Sequence, residues 1–203
     1  KNKVSNKFVH FKELNDLSIN QKKKVKKDLK IITSKRNNFL KNINFSKPSV
    51  MGILNLTPDS FSDGGKFNKK QKSLKHISDM ISSGADIIDV GGESTRPGSK
   101  TINPKKEWQR VKHVIRIFKK RYKNISLSID TRKSDLMVES IKYGANLIND
   151  VSGFSFDKYS LEKIKKFNLP KVLHHMKGTP NTMQINPKYK NVLLDIYDYF
   201  EKS

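Results

Sequence analysis

An α/β fold, a (β/α)8 TIM barrel of which this chain supplies about the first five βα units, is what the sequence predicts. Three observations carry that expectation. From Pro48 onward, short apolar runs alternate with stretches of helical spacing, the pattern of βα units around a parallel sheet. Gly84–Asp89 (GADIID) is echoed by Gly144–Asn149 (GANLIN): a helix ends at glycine, a short strand follows, and a carboxylate or amide stands at its end. Successive strands also end in polar side chains, and a barrel gathers such strand ends at one mouth. A doubly wound sheet is the alternative, but no G-x-G-x-x-G turn follows the first strand.

The elements are justified in chain order. Residues 1–47 are rich in Lys and Asn, lack Gly, and read as a basic N-terminal extension; residues 48–203 read as the barrel domain, incomplete at its C-terminal side. Within the extension, residues 21–40 have helical spacing, with Val25, Leu29, Ile32 and Leu40 on one side. Strands are expected at 50–54, 87–90, 125–129, 146–148 and 171–174, as short apolar runs bounded by polar or glycine positions. Helices are expected at 70–83, 104–122, 134–143, 157–167 and 192–200. The second of these starts with Pro104 and aligns Trp108, Val111, Val114, Ile115 and Phe118. Strands one and five would be left as open edges.

Composition bounds the function. The 203 residues allow one domain with a sizeable core. With no Cys there is neither a disulfide framework nor a thiolate metal site. No apolar run has signal-peptide or membrane-span length, so a cytoplasmic protein without a membrane partner is expected. The formal net charge is +23. Lys, Asn and Ile are abundant throughout, which reads as compositional bias, and no basic, aromatic-interleaved RNA motif occurs; nucleic acid is not the expected partner.

The chemistry concentrates in two loops. MGILNLTPDSFSDGG runs from a core strand into an amide, three hydroxyls, two carboxylates, a proline and a glycine pair between Asn55 and Gly65. IIDVGGESTRPGS (Ile87–Ser99) adds two glycines, Thr95 as a hydroxyl donor and Arg96 as a guanidinium, a set suited to phosphate or diphosphate. Asn55, Asp89, Asp130 and Asn149 end four strands, and His174 and His175 lie near the end of the fifth. Any one of these could be a turn former or helix cap. Four in succession suit a heterocycle with amide-like N–H groups.

These two loops, with SIDTRKSD (Ser128–Asp135), LINDVSG (Leu147–Gly153) and HMKGTPNTMQ (His175–Gln184), resemble the signature segments of the dihydropteroate synthase family, in order and from about Pro48 to Phe200. The resemblance implies a (β/α)8 barrel that condenses 6-hydroxymethyl-7,8-dihydropterin pyrophosphate with p-aminobenzoate. The products are 7,8-dihydropteroate and pyrophosphate, in folate biosynthesis with Mg²⁺. It implies Asn55 as the metal ligand and Thr95 and Arg96 as diphosphate contacts. Asp89, Asp130 and Asn149 would bind the pterin edge, with His174 at the pocket wall where relatives usually carry an apolar residue. Phe61 and Pro97 would wall the p-aminobenzoate slot. Asp63, a polar contact of the first loop, joins Asp130 and Arg96 in the implied catalytic set. Gly64-Gly65 and Gly91-Gly92 are expected to give the loops freedom to close. A homodimer is implied for the full-length protein.

The resemblance also sets limits. The family's later pterin-binding Asp, its Ser-Arg-Lys segment and its final Arg-x-His belong to strands six to eight and are absent from these 203 residues. Little or no activity is expected of the chain alone. The alternatives are a methyltetrahydrofolate-type pterin-binding methyltransferase domain, which has no need of the diphosphate and p-aminobenzoate loops, and an inactive truncated pterin-binding module.

Overall fold

The computed structural model describes residues 17–34, 40, 43–44, 46–57, 66–94 and 99–202. Asn38–Asn186 forms one compact unit; Lys1–Asn37 and Pro187–Ser203 group as a second.

The second unit contributes two described helices. Helix α1 (Ile19–Thr33) begins with a capping box: Ser18 Oγ accepts from the Gln21 amide, and the Gln21 side chain accepts from the Ser18 amide. It ends earlier than the 21–40 spacing suggests, where the Ser34 amide reaches back to the Lys30 carbonyl. Leu40 is therefore not on its stripe. The last helix, α6 (Val192–Lys202), starts at Asn191, whose side-chain oxygen accepts from the Leu193 and Leu194 amides.

The first unit is a parallel sheet with strands in sequential order: β1 (Met51–Asn55), β2 (Ile87–Gly91), β3 (Ser126–Asp130), β4 (Leu147–Asp150) and β5 (Lys171–Leu173). Between them run α2 (Lys66–Ser82), α3 (Pro104–Arg121), α4 (Ser134–Lys142) and α5 (Ser160–Ile164). Sequential parallel order with a helix after each strand is the barrel arrangement, here with β1 and β5 as the outer strands.

The sheet's two faces are separate cores. Leu54, Ile88, Val90, Leu127, Ile129 and Ile148 pack with Ile77 of α2, Val111, Val114, Ile115 and Phe118 of α3, and Leu136 and Met137 of α4. On the opposite face Met51, Ile87 and Leu147, the first residues of their strands, pack with Val172 and with Leu40 and Ile43 from ahead of β1. Leu40 and Ile43 thus close the N-terminal end of the sheet, which leaves polar groups to the C-terminal end.

The internal echo has a structural cause. Gly84 and Gly144 have φ of +100° and +96°, and in each case the glycine and the following alanine donate back to the last helical turn. These are Schellman caps, which need a left-handed residue. The third repeat position has the same job twice: Asp86 Oδ2 accepts from the Val50 amide and Asn146 Oδ1 from the Leu127 amide, each at 2.8 Å.

The helix expected at 157–167 is shorter, Ser160–Ile164. Asp157 is spent on a turn: its carboxylate accepts from the Ser134 and Tyr159 amides, so the chain turns before it coils.

Candidate active site

Sheet register builds the site. Asn55, Gly91, Asp130 and Asn149 are successive Cα partners across β1, β2, β3 and β4, so they form one row at the C-terminal strand ends. Gly91 is the low point of that row. A Cβ there would lie 3.3 Å from Asp130 Oδ2 and 3.5 Å from Asn55 Oδ1, which means both side-chain oxygens lean over the glycine. Gly92 is also required by space: a Cβ would meet Val111 Cγ1 at 2.8 Å and Glu107 Cγ at 3.0 Å on α3. The expectation that this pair serves loop freedom is corrected accordingly: Gly91 lies in β2, and Gly92 lets the backbone pack on α3. Gly64 and Gly65 lie outside the described residues.

Two residues before Gly91, and on the same face of β2, Asp89 is 4% exposed. Asn149 Nδ2 donates to Asp89 Oδ2 at 3.1 Å, and His174 Nε2 lies 2.6 Å from Asn149 Oδ1. The structure therefore brings Asn55, Asp89, Asp130, Asn149 and His174 to one end of one sheet. Phe61, Asp63, Thr95, Arg96 and Pro97 lie outside the described residues.

The electrostatics are unusual. Burial pushes the Asp130 carboxyl up to about 7, and the surrounding carboxylates Asp89, Glu107, Asp150 and Glu93 add to the rise. Burial also raises Asp89, partly offset by Ser128, Asn149 and His174. Asp150 is raised by burial against its hydrogen bonds from Ser152. At neutral pH Asp130 thus exists as both acid and carboxylate, able to donate or accept.

Sequence reasoning missed what lies behind this row. Glu93 Oε2 accepts from Arg132 Nη2 at 2.6 Å, Glu93 Oε1 accepts from Lys133 Nζ at 2.8 Å, and Lys133 also pairs with Glu107. All four side chains are buried. Burial pushes Glu93 up, but Lys133, the Ile102 amide and Arg132 outweigh it and hold the carboxyl below its usual value. The cluster also pins the second loop. The Ile102 amide donates to Glu93 Oε1 at 2.7 Å, Arg132 reaches Thr101, and Ser99 Oγ donates to the Ser94 carbonyl. One signal was present: Glu107 falls on the 107, 111, 114, 115, 118 stripe of α3, a charge where the spacing demands burial.

Residues 51–203 match the family model described as pterin binding enzyme. The chain belongs to the pterin binding enzyme family. Dihydropteroate synthase of Escherichia coli (strain K12) is 46% identical over 158 residues, 78% of this chain and 55% of that one. The crystal structure of Yersinia pestis dihydropteroate synthase with a sulfonamide drug superposes with a TM-score of 0.72 at 43% identity, covering 79% of this chain and 57% of that one. Dihydropteroate synthase of Xanthomonas albilineans with 4-aminobenzoic acid gives a TM-score of 0.69 at 34% identity, over 79% and 55%. The chain spans about half the length of the relatives it matches. Within this family fold, the five described strands form a run of consecutive barrel strands. No helix among the described residues is long and apolar enough to cross a membrane.

Proposed function

We propose that the protein carrying this sequence is a dihydropteroate synthase, joining 6-hydroxymethyl-7,8-dihydropterin pyrophosphate to p-aminobenzoate with release of pyrophosphate. The observation that carries the reading is the row over Gly91: an amide, a carboxyl poised near neutrality, and a second amide held by a buried carboxylate. The Asp130 and Asn149 side of that row, with Asp89 beside it, matches a flat heterocycle rich in N–H groups and ring nitrogens, and Asn55 stands at its metal end. The Xanthomonas relative's 4-aminobenzoic acid supports the choice of second substrate.

Asp89, Asp130 and Asn149 bind the pterin edge, beside His174. Thr95 and Arg96 hold the diphosphate, Phe61 and Pro97 flank p-aminobenzoate, and Asp63 supplies a polar contact from the first loop. As pyrophosphate departs, negative charge grows on its oxygens and positive charge on the pterin. Arg96 and Thr95 stabilise the first and Asp130 the second, through groups already in place before reaction. The amine of p-aminobenzoate then attacks the methylene carbon, and no enzyme nucleophile is required.

Mg²⁺ fits the residues present. The Asn55 and Asp130 oxygens that converge over Gly91 are hard ligands, and Mg²⁺ prefers one or two such groups plus phosphate oxygens and water. With Mg²⁺ held by one or two protein oxygens, phosphate and water would supply the remaining ligands. When bound, Mg²⁺ would neutralise charge on the diphosphate. A charged diphosphate substrate suits a cytoplasmic enzyme, and a homodimer is the proposed assembly.

The test is pyrophosphate release from dihydropterin pyrophosphate by the full-length protein, with and without p-aminobenzoate. Release that depends on p-aminobenzoate is expected. A full-length protein that binds both compounds and releases no pyrophosphate overturns the proposal. The 203-residue chain alone is expected to turn over little, because relatives extend well beyond it.

A further inference from the structure

We infer that His174 is a positioning residue: it fixes the direction in which the Asn149 amide faces and so keeps its N–H side toward Asp89 and the ligand. The inference deepens the proposed function and rests on it for the choice of ligand.

An asparagine amide has one acceptor oxygen and one nitrogen with two hydrogens, and the two ends are nearly the same size. Nothing in its shape fixes which end faces where; only its partners do. Here the partners are of opposite kinds. Asp89 Oδ2, 3.1 Å from Nδ2, is an acceptor when ionised. His174 Nε2, 2.6 Å from Oδ1, must then carry a hydrogen and donate. Donation runs one way, from His174 to Asn149 to Asp89. Turning the amide over would set its oxygen against the Asp89 carboxylate, losing that bond, and would keep the His174 bond only if the ring moved its hydrogen to Nδ1, so an Nε2–H ring and Asp89 hold the amide the same way. One N–H of Asn149 remains for a ligand.

Chain geometry supports the assignment. Asn149 is the Cα partner of Val172 on β5, and His174 lies two residues further on, so it reaches the same side of the sheet. An apolar side chain at 174 could fill the space but could not orient the amide. His174 therefore acts through Asn149 rather than on the substrate.

Two measurements test this with the full-length protein. The first needs no ligand. At alkaline pH, where the ring is neutral, ¹⁵N spectra of His174 are expected to show the hydrogen on Nε2; a ring protonated on Nδ1 overturns the inference. The second is a double-mutant cycle read by affinity for 6-hydroxymethylpterin. His174→Met is expected to weaken binding about 5–10-fold, the loss of one neutral hydrogen bond, and His174→Gln, which restores an N–H, to recover most of it. In an Asn149→Ala background the His174→Met penalty is expected to vanish. If it persists there undiminished, His174 acts on the ligand or on packing, and the inference fails while the pterin reading stands. If the pterin does not bind even the full-length parent, the pterin reading loses its support, and the ¹⁵N result still decides the role of His174.

Discussion

Asp130→Asn should make this protein more stable and its site worse, by an amount that depends on pH in a defined direction. The folded chain raises the Asp130 carboxyl from 3.8 to about 7, first through burial and then through Asp89, Glu107, Asp150 and Glu93. Between those two values the folded protein holds a proton that the unfolded chain releases. A raised acid therefore disfavours folding progressively as pH climbs from about 4 to 7, and fully above that. At roughly 1.4 kcal/mol for each tenfold change in proton affinity, the full penalty is about 4 kcal/mol. Asparagine carries no such charge. The stability gained by Asp130→Asn should be under about 1 kcal/mol at pH 4, about 2 kcal/mol at pH 5, and about 4 kcal/mol at pH 8. Removing the charge also relieves Asp89 and Asp150, which reinforces the sign. Urea unfolding of both proteins at pH 5 and pH 8, followed by circular dichroism, measures the difference directly. A gain equal at the two pH values would refute the argument, because it would mean that Asp130 does not titrate differently in the folded state. The same substitution puts N–H groups where the pterin also presents N–H groups, so pterin affinity should fall by ~1–3 kcal/mol.

Four further outcomes are expected. Arg96→Ala should weaken binding of inorganic pyrophosphate by ~10-fold or more, since a charge-assisted hydrogen bond is lost; calorimetry showing unchanged affinity would remove Arg96 from its proposed role. Gly91→Ala places a methyl group 3.3 Å from Asp130 Oδ2 and 3.5 Å from Asn55 Oδ1, and should cut Mg²⁺-dependent pyrophosphate binding while changing folding stability by only about 1 kcal/mol. Glu93→Gln leaves the buried Arg132 and Lys133 short of a counter-charge and should cost ~3–5 kcal/mol in a denaturation curve. Gly84→Ala and Gly144→Ala face the same backbone strain, at φ of +100° and +96°, but only the second meets a neighbour, Lys119 Cγ at 2.7 Å. The flexible Lys119 stem can yield, so both should cost ~1–2 kcal/mol, with Gly144→Ala the larger by a few tenths; a loss near zero at either would argue against the left-handed cap.

The strand ends were legible because a barrel makes its function periodic. Asn55, Asp89, Asp130 and Asn149 each follow a short apolar run, and a parallel sheet in sequential order can only place them at one end. The repeat was legible too, since a left-handed cap tolerates little besides glycine. What could not be read was whatever depends on side chains meeting across long separations. Glu93 and Arg132 are 39 residues apart, and Asn149 and Asp89 are 60 apart. Nothing local marks either pair. The 157–167 helix was misjudged for the same reason: Asp157 is held by the Ser134 amide, 23 residues earlier. Leu40 fitted a helical stripe by spacing alone, while its burial is set by Ile87 and Leu147, on strands that are far away in sequence.

The charge of the chain and the charge of its site have opposite signs, and that opposition says how the work is divided. The protein carries +23, yet Asp89, Glu93, Asp130 and Asp150 at or just beyond the strand ends and Glu107 of α3 gather against Arg132 and Lys133, the only buried cations among the described residues. A diphosphate would be repelled from such a cluster. Heterocycle N–H groups would be attracted to it, and a developing positive charge on the ring would be stabilised there. On the proposed reading, the Asp89, Asp130 and Asn149 side of the row is therefore suited to the ring end of the substrate, and the anionic tail belongs toward Asn55, where Mg²⁺ would offset the repulsion, and toward Arg96. Glu93, Arg132 and Lys133 join the two regions. The Glu93 and Glu107 carboxylates add to the rise of Asp130, and through Ile102 and Thr101 the cluster holds the segment that follows Ser99. On the proposed reading, one buried cluster thereby adds to the burial that raises Asp130 beside the ring and anchors the chain next to the segment from which Arg96 would hold the tail.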